Sequence, residues 1–417
     1  MSEAVPDVLI LGGGVIGLAC AYYLLQAGRS VHIVERGLVG AATSHGNCGT
    51  ITPSHALPLA APGVIGKALK WMLRPDAPLY IKPRLDPALG SWLLHFAARC
   101  NQRDWRRSAE AQGELLQVSR KLTGDLVREH SLDCEFQARG LRYVYATQQA
   151  FDHDCATLPL LASLGVESAL LDGASLVMTE PAVRDGLAGA IHFPGDAHLR
   201  PDRFTSELAR VVRSLGGFIE EGIEVTGVRS IAGRLHGVDT SKGPRRGRDT
   251  LVALGPWSAP FLQAIGLNLP VQPGKGYSMT YSPPTLAPSV PLVLREHSVC
   301  VTAWQSGFRL GSTMEFSGYD SSLNAVRLAA LERGAARYLR EPIGPERREQ
   351  WFGWRPMTYD DLPVIGRASR LDGLWLATGH GMMGVGMSAV TGKLVSELMT
   401  GKQTCVDPLP YRATRFA

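Results

Sequence analysis

The first thirty-six residues carry a clear pattern of apolar and polar positions. Residues 8–11 (VLIL) form a short apolar run that ends at glycine, which is typical of a buried parallel strand. Apolar residues then recur at helical spacing over Val15–Gln26, and Gly28 is a natural stop for that helix. Residues 30–36 (SVHIVER) predict a second strand. The pattern therefore predicts a strand–helix–strand unit at the start of the chain.

Strands dominate the middle of the sequence, where apolar and polar residues alternate. One helix is predicted at about 108–130 and another at 201–217, where Pro201 stands in the first turn and glycines follow the end. The predicted strands lie at 141–147, 223–231, 234–240, 249–257, 275–281, 291–304, 308–316 and 373–379. Strand–helix units on both sides of a β-rich middle indicate a nucleotide-binding α/β domain with a second domain inserted in it.

The turn after the first strand contains a G-x-G-x-x-G pattern at Gly12, Gly14 and Gly17. In a dinucleotide site the first glycine permits a tight turn, the second lets backbone approach a pyrophosphate, and the third lets helix and strand pack. Glu35 ends the next strand, where a carboxylate accepts hydrogen bonds from an adenosine ribose. An acidic residue there disfavours a 2′-phosphate, so NADP is a poor candidate while NAD and FAD both remain open.

Two further stretches are candidates for cofactor contact. Residues 37–53 carry Thr43, Ser44 and Asn47 between glycines, and they could line a phosphate and a flavin ring or form a solvated surface loop. Residues 379–392 (GHGMMGVGMSAVTG) begin with closely spaced glycines and continue with small residues. This second stretch predicts the start of a helix whose backbone can approach another group closely.

The composition limits the class of protein. A length of 417 residues favours about two domains, and 45% hydrophobic with 19% charged residues is typical of a globular protein. The net charge of +5 comes from dispersed basic residues, so we expect no nucleic-acid partner. The seven scattered cysteines lack metal-ligand spacing, so we expect free thiols, no metal site and a reducing compartment. The acidic N-terminus without a basic segment favours a cytoplasmic location.

Several stretches resemble one flavoprotein family. They are GGGVIGLACAYYLLQAG, HIVER and GAATSHGNCGTITP near the N-terminus, TLVALGPWS and LPVQPGKGYSMTY in the middle, and WFGWRPMTYDDLPVIGR and GLWLATGHGMMGVGMSAVTGKLVSEL near the C-terminus. Together they are similar to the FAD-dependent D-amino-acid oxidase superfamily, and within it to the D-amino-acid dehydrogenases of the small-subunit type. Glycine oxidases and sarcosine oxidases resemble the chain more distantly. The resemblance covers nearly the whole sequence.

This resemblance implies a Rossmann-like FAD domain of the glutathione-reductase type with an inserted, mainly antiparallel β-sheet substrate domain. The FAD domain would comprise residues 1–60, 196–255 and 350–417, and the substrate domain 61–195 and 256–349. We expect noncovalent FAD; the side chains that could carry a covalent link are those of His45 and Cys48. The implied cofactor contacts are Gly12, Gly14, Val15, Ile16, Gly17, Glu35, Arg36, Thr43, Ser44, Asn47, Cys48, Gly49, Val225, Gly255, Trp257, Gly381, Met382, Met383 and Gly384.

The resemblance also implies which residues meet the substrate. Arg355, in GWRP, matches the arginine that binds the substrate carboxylate in this superfamily, and a planar guanidinium can hold both carboxylate oxygens. His297 matches a substrate-contacting position on a strand. His380 and Tyr277 are further candidate catalytic residues, and each could instead be structural.

Met382 and Met383 could form an apolar wall that suits a substrate with an apolar or ring side chain, or they could pack the helix start. The implied reaction is oxidative deamination of a small carboxylated amine, either a D-amino acid or a cyclic or secondary amino acid. A hydride moves to flavin N5 and an imino acid forms, and no general base is required if the amine binds neutral.

Two rival functions remain open: a glycine- or sarcosine-type oxidase that uses dioxygen, and a catalytically silent flavoprotein subunit. We expect a small amino-acid substrate, with a quinone, a dye-like acceptor or dioxygen as the electron acceptor. Residues Lys67–Arg74 (KALKWMLR) have basic ends and an apolar centre. They could make peripheral contact with the inner face of a membrane, or they could form a buried helix with a basic edge.

Overall fold

A computed structural model describes residues 5–72 and 78–416 of the chain. Its strands form two large sheets and two short pairs. In chain order the strands are β1 Val8–Leu11, β2 Val31–Glu35, β3 Thr50–Ile51, β4 Leu79–Ile81, β5 Leu141–Tyr145, β6 Ala169–Asp172, β7 Gly189–Phe193, β8 Ala197–His198, β9 Phe218–Glu221, β10 Val225–Ile231, β11 Arg234–Thr240, β12 Asp249–Val252, β13 Gln272–Tyr281, β14 Leu292–Leu294, β15 Val299–Trp304, β16 Gly307–Gly311, β17 Met314–Phe316, β18 Arg347–Met357, β19 Val364–Arg367 and β20 Leu374–Thr378.

The helices lie mainly on the faces of these sheets. In chain order they are α1 Val15–Gln26, α2 Val64–Met72, α3 Pro87–Arg99, α4 Gln102–Glu129, α5 Gln148–Cys155, α6 Leu158–Ser163, α7 Gly173–Thr179, α8 Pro201–Ser214, α9 Ser258–Gln263, α10 Ala325–Ala335 and α11 Gly384–Thr400. Short 3₁₀ turns cover Pro53–Ala56, Gly255–Trp257, Leu409–Tyr411 and Ala413–Phe416.

The smaller sheet has six strands in the order β19–β20–β12–β1–β2–β9. Neighbours from β20 to β9 pair in parallel, and β19 pairs antiparallel with β20. Helices α1, α4, α8 and α11 contribute to one apolar core on this sheet, with Ile10, Leu18, Leu116, Phe204 and Val390 buried. The β10–β11 hairpin and α9 contribute to a second core that includes other residues of β1. The sheet is therefore covered on both faces, as parallel sheets usually are.

The larger sheet has ten strands and is mainly antiparallel. Nine of them follow the order β4–β17–β13–β16–β15–β14–β5–β7–β6, and β18 pairs with β13. Among the described strands of this larger sheet, only the β4–β17 and β5–β14 pairs are parallel. Leu328 and Leu331 of α10 pack in one core of this sheet. Phe151 and Leu161, from α5 and α6, pack in another. The fold is therefore a Rossmann-like α/β unit joined to a mainly antiparallel β-sheet unit.

Two elements pack differently from the expected domain division. Helix α4, expected in the substrate domain, contributes Leu115 and Leu116 to the same core as α1 and α11. Strand β18, of which residues 350–357 are expected in the FAD domain, pairs along its length with β13 of the larger sheet. The expected boundaries stay a prediction. Helix α4 lies within the expected substrate segment but packs in the core of the smaller sheet, and β18 spans the expected boundary between residues 349 and 350.

The expected membrane-contact segment Lys67–Arg74 coincides with α2 over part of its length. Residues 73 and 74 and the side chains of Lys67 and Lys70 lie outside the described residues. Within the described ranges, no helix combines the length and the apolar character needed to cross a bilayer.

Candidate active site

One cavity of about 1390 Å³ is lined by residues of both sheets. Its walls include the turn that follows β1, the loop 40–49, β10, the turn Gly255–Trp257, β18 and the start of α11. A small ligand occupies a pocket of about 300–1,000 Å³. The cavity therefore has room for a large cofactor together with a small substrate.

The glycines of the first turn have separate structural causes. Gly12 has a φ of +105°, and a Cβ there would stand 2.6 Å from the Ala253 carbonyl oxygen. A Cβ at Gly17 would stand 2.0 Å from the Gly12 carbonyl oxygen, so this glycine lets α1 pack on the turn. At Gly14 the nearest atom to such a Cβ is Ser44 Oγ, at 3.6 Å. Gly12 and Gly14 line the cavity, as do Val15 and Ile16, whereas Gly17 is not part of the lining.

Glu35 lies on the cavity wall at the end of β2, next to the first turn. Its two carboxylate oxygens accept hydrogen bonds from the backbone N–H groups of Gly13 and Gly37, each at 2.8 Å. Each carboxylate oxygen has a second acceptor position, so both can also receive a ligand hydroxyl. The Arg36 guanidinium lies 4.8 Å from the centre of the Trp257 ring, and both residues line the cavity with Val225 and Gly255.

The loop 40–49 ties the two sheets together along the cavity. Thr43 Oγ1 donates to the Trp354 carbonyl oxygen at 2.8 Å, and Ser44 Oγ accepts from the Val15 N–H at 3.2 Å. The Asn47 side chain donates to the Met382 carbonyl oxygen at 3.5 Å. Thr43, Ser44, Asn47 and Cys48 line the cavity.

Gly49, the last residue of this loop, does not reach the cavity lining. It has a φ of +72°, and a Cβ there would stand 1.9 Å from the Leu199 carbonyl oxygen. Its N–H donates to Asn47 Oδ1 at 2.7 Å. Gly49 therefore contributes to the shape of the loop, and its expected contact with the cofactor stays a prediction.

Helix α11 also begins at the wall of the cavity. Gly381, Met382, Met383 and Gly384 all line it, and no side chain caps the helix start. The first N–H groups of a helix have no partner within the helix, so these donors are available to a ligand. Helix α11 packs tightly on α1, because a Cβ at Gly392 would stand 2.4 Å from the Ala19 carbonyl oxygen.

Helix α1 begins at Val15, and its N-cap residue, Gly14, likewise makes no side-chain cap. The partial positive charges of two helix starts therefore face one cavity, which suits a long ligand that is negatively charged at two places.

Arg355 lies on β18 and lines the cavity. Its Nη1 donates to the Thr313 carbonyl oxygen at 2.6 Å, and the Met314 sulfur lies 3.9 Å away. Within the described part of the chain, no carboxylate is paired with this guanidinium. Burial lowers the pKa of Arg355, opposed by the nearby sulfurs of Cys48 and Cys300. An arginine in this setting still carries its charge, so it can receive an anionic group of a ligand.

Tyr277 is buried on β13 and also lines the cavity. Its hydroxyl donates to Glu315 Oε2 at 3.1 Å, and that oxygen lies 3.2 Å from Arg327 Nε. Burial and the Glu315 carboxylate raise the pKa of Tyr277. The tyrosine therefore keeps its proton, which is directed at Glu315.

His380 is buried at the cavity wall, two residues after the end of β20. Its Nε2 lies 2.9 Å from Thr391 Oγ1 of α11. Burial lowers the pKa of His380 to about 3, so the ring is neutral near pH 7. The hydrogen bond to Thr391 fixes the ring against the helix that forms this wall.

The expected strand position of His297 is wrong. Residues 295–298 form the tight turn between β14 and β15, and His297 is not part of the cavity lining. Its ring packs edge-on against Tyr338, with Nδ1 3.2 Å from the tyrosine oxygen. A Cβ at Gly334 of α10 would stand 3.2 Å from His297 Cβ, so the side chain packs against that helix. The structure therefore does not bring His297 together with Arg355.

Other cavity residues had no signal in the sequence. Cys300 and Thr313 line it, and so does Asp361, whose Oδ2 accepts a hydrogen bond from the Leu59 N–H at 2.8 Å. Burial raises the pKa of Asp361 to about 6. Gly276 lies outside the lining; as a glycine inside a predicted strand it marks the close approach of another group, which here is the Arg355 guanidinium.

Comparison with known proteins gives one consistent result. The sequence pattern of the FAD-dependent oxidoreductases (DAO) matches residues 7–398. The D-amino acid dehydrogenase of Methylobacterium nodulans is 35% identical over 406 residues, which cover 95% of each chain. That of Chromohalobacter salexigens is 35% identical over 423 residues, 99% of this chain and 100% of the other. The crystal structure of glycine oxidase from Geobacillus kaustophilus has a TM-score of 0.80 at 25% identity and covers 98% of each chain.

The site fits the cofactor of this family. The start of α1 can receive the pyrophosphate of FAD, the Glu35 carboxylate can receive its ribose hydroxyls, and the start of α11 offers N–H donors to its other end. Noncovalent attachment and the individual contacts stay predictions. The chain belongs to the DAO family of FAD-dependent oxidoreductases, and FAD is its cofactor.

Proposed function

We propose that the protein oxidises a small carboxylated amine, either a D-amino acid or a cyclic or secondary amino acid, to the corresponding imino acid. The names of the D-amino acid dehydrogenases that it resembles support an amino-acid substrate. The observation that carries the proposal is Arg355, a cation at the cavity wall whose described partners are a carbonyl oxygen and a thioether sulfur.

In this proposal the Arg355 guanidinium binds the substrate carboxylate with two parallel hydrogen bonds. A planar fork of donors fixes both the position and the rotation of a carboxylate, and therefore also the direction of the Cα–H bond. The Thr313 carbonyl oxygen holds one edge of the guanidinium through Nη1, at 2.6 Å. This contact reduces the loss of side-chain entropy when the substrate binds.

FAD, when bound, supplies the acceptor for the hydride that leaves Cα. A neutral amine that loses this hydride becomes a protonated imine directly, so no side chain has to remove a proton from Cα. His380, with a pKa of about 3, is neutral and its Nε2 is paired with Thr391. Tyr277 directs its proton at Glu315. In the proposal these two residues shape the cavity, and neither transfers a proton.

The apolar part of the cavity would hold the substrate side chain and exclude water. Met382 and Met383 line it, and so do Trp92 and Phe96 of α3. A long, flexible methionine side chain adapts to different shapes. We therefore propose a substrate whose side chain is apolar or part of a ring.

The test is anaerobic mixing of the FAD-loaded protein with D-amino acids, N-methyl amino acids and proline derivatives, with loss of flavin absorbance as the signal. Arg355→Ala should lower the second-order rate constant of flavin reduction on the order of 30- to 5,000-fold. This corresponds to a rise of about 2–5 kcal/mol in the activation free energy. Arg355→Lys should recover only part of this loss. Arg128→Ala, at an exposed position on α4, is the matched control.

Two outcomes would contradict the proposal. If no carboxylated amine reduces the flavin of the wild-type protein, the reaction is a different one. If Arg355→Ala is reduced as fast as the wild type at low substrate concentration, Arg355 does not bind the carboxylate. Re-oxidation of the reduced protein by dioxygen, with formation of hydrogen peroxide, would identify an oxidase; re-oxidation only by a quinone or dye would identify a dehydrogenase.

A further inference from the structure

Two thiols meet at the cavity wall, one on the loop 40–49 and one on the larger sheet. Cys300 on β15 is the direct cross-strand partner of Gly311 on β16. A Cβ at Gly311 would stand 2.5 Å from Cys48 Sγ. Side chains of directly opposed residues share one face of a sheet at about 4.5–5.5 Å between Cβ positions. The missing side chain at Gly311 therefore makes the space in which the Cys48 sulfur lies beside Cys300.

The backbone around Cys48 is fixed at this place. The Cys48 carbonyl oxygen accepts a hydrogen bond from Thr302 Oγ1 at 2.9 Å. Arg309, which is buried, donates through Nη1 to the carbonyl oxygens of His45 and Asn47 at 2.9 and 2.7 Å. Thr302 lies on β15, which also carries Cys300, and Arg309 lies on β16, which pairs with β15. The fold therefore holds the backbone around Cys48 next to the strand that carries Cys300.

The charges around the pair distinguish one thiol from the other. The pKa of Cys48 is lowered by a hydrogen bond from the Cys300 thiol, opposed by burial and assisted by the guanidinium groups of Arg309 and Arg355. The same hydrogen bond and burial raise the pKa of Cys300. Burial also raises the pKa of each of the other cysteines, which are Cys20, Cys100, Cys134, Cys155 and Cys405. Cys48 is therefore the thiol that ionises most easily, with a proton-bearing thiol next to it.

We propose that Cys48 and Cys300 form a redox-active pair that hydrogen peroxide converts to a disulfide. The Cys48 thiolate attacks one peroxide oxygen, the O–O bond breaks, and a sulfenic acid and hydroxide form. The Cys300 sulfur then attacks the Cys48 sulfur, the S–O bond breaks, and the leaving hydroxide takes the Cys300 proton to become water. In total two thiols lose two electrons and two protons, and one peroxide becomes two water molecules.

The disulfide would change the wall that Arg355 shares. Cys48, Cys300 and Arg355 all line the cavity. Oxidation removes the ionisable thiol beside the guanidinium and shortens the separation of the two sulfurs to a covalent bond. Because the loop 40–49 carries Cys48, we expect oxidation to raise the KM for the amine substrate at least fivefold.

The experiment uses the FAD-loaded protein and hydrogen peroxide, which catalase then removes. Free thiols are alkylated after denaturation, and the protein is digested with trypsin without reduction. The expected product joins the peptide 37–67, which contains Cys48, to the peptide 296–309, which contains Cys300. Dithiothreitol should separate the two peptides and restore the original KM.

Cys48→Ser and Cys300→Ser should each abolish the linked peptide, and their activity with and without peroxide is compared within each variant. Cys100→Ser, at the end of α3 and outside the cavity lining, should form the linked peptide as the wild type does. The proposal is wrong if the alkylating reagent labels both Cys48 and Cys300 after peroxide treatment. It is also wrong if Cys48 becomes a sulfinic acid while Cys300 stays a free thiol. Peptide mapping requires no turnover, so this result is independent of the proposed reaction.

Discussion

The guanidinium of Arg355 lies across the backbone of Gly276. A Cβ at position 276 would stand 2.3 Å from Arg355 Nη2 and 2.4 Å from its Cζ. In the β13–β18 pair, Gly276 is opposite Gly353, and Arg355 is opposite Gly274. The Arg355 side chain thus lies over Gly276, two residues from its directly paired residue Gly274 on β13. Only a glycine at position 276 leaves room for the guanidinium.

Gly276→Ala should therefore displace the guanidinium without removing its charge. We expect the KM for the amine substrate to rise at least tenfold, because the carboxylate would meet a cation in the wrong place. A misplacement of about 1 Å can cost on the order of 100-fold in rate. Steady-state kinetics with a dye acceptor measure the effect.

Gly90→Ala is the matched control, because the space around Gly90 on α3 is open and the residue is exposed. It should leave the KM unchanged. A Gly276→Ala protein with the wild-type KM and normal FAD content would show that the guanidinium is not held at its observed position during binding.

Glu35→Gln should weaken the binding of FAD. The carboxylate accepts from the Gly13 and Gly37 N–H groups, and a glutamine would turn an amide N–H group toward one of these donors. Hydrogen bonds to a charged group contribute about 1.5–3 kcal/mol each, so the Kd for FAD should rise roughly 10- to 100-fold. Quenching of flavin fluorescence on addition of FAD to apoprotein measures this constant.

Glu167→Gln, at an exposed position before β6, should bind FAD as the wild type does. An unchanged Kd in Glu35→Gln would mean that the carboxylate does not receive the ribose and that the turn holds its shape without it.

The buried carboxyl group of Asp196 should make the stability of the protein depend on pH. It accepts hydrogen bonds from Ser54 Oγ at 2.5 Å and from the Ser54 N–H at 3.1 Å. Burial raises the pKa of Asp196 to about 7, above its unfolded value of 3.8. Between these values the folded state keeps a proton that the unfolded state has lost, so stability falls as the pH rises toward 7.

Asp196→Asn should remove this slope. The free energy of unfolding of the wild type, relative to the variant, should fall by roughly 2–3 kcal/mol between pH 5 and pH 7 and level off above about pH 8. Urea denaturation at a series of pH values measures the difference. A difference that stays constant over this range would mean that the carboxyl group is ionised in the folded protein at pH 5.

His380→Gln should change the size of kcat/KM but not the pKa values of its pH profile. The ring has a pKa of about 3, so its protonation state is constant between pH 5 and pH 9. A glutamine can keep a hydrogen bond to Thr391, which the Nε2 atom makes at 2.9 Å. A shift of the acid limb in the variant would identify His380 as a titrating group of the reaction.

The first strand–helix–strand unit could be predicted from the sequence at the level of residues. Helix α1 spans Val15–Gln26 as expected, and the strands on its two sides are confirmed. Local apolar spacing and glycine chemistry are sufficient here, because each element contacts its neighbour in sequence. The start of α8 at Pro201 is confirmed for the same reason.

Pairings between remote segments could not be predicted in this way. Strand β4 pairs with β17, more than two hundred residues later, and both are three residues long. Helix α4 has an apolar face that any core could bury, and the pattern does not say that α11 covers it. These contacts depend on which surfaces the rest of the fold leaves open.

The candidate site shows the same limit. Arg355 and the glycine-rich starts of α1 and α11 are visible as motifs, and the structure brings them to one cavity. Cys300 and Gly311 acquire their meaning only from the β15–β16 register, which places them opposite each other. Residues 291–304 alternate like a single strand, and this pattern places His297 on it. The structure has a turn at 295–298, which the pattern does not reveal.

The distribution of the cofactor site between the two ends of the chain has a consequence for protein synthesis. A ribosome synthesises the strand–helix–strand unit, which ends at Glu35, long before it reaches α11, which begins at Gly384. Nascent chains emerge N-terminus first, and a ligand stabilises only a state that can bind it. Polypeptides halted before residue 384 would lack one wall of the site and the helix that packs on α1. The complete FAD site therefore forms only after α11 has been synthesised, and chains that stop before it would lack the stabilisation that bound FAD gives to the folded state.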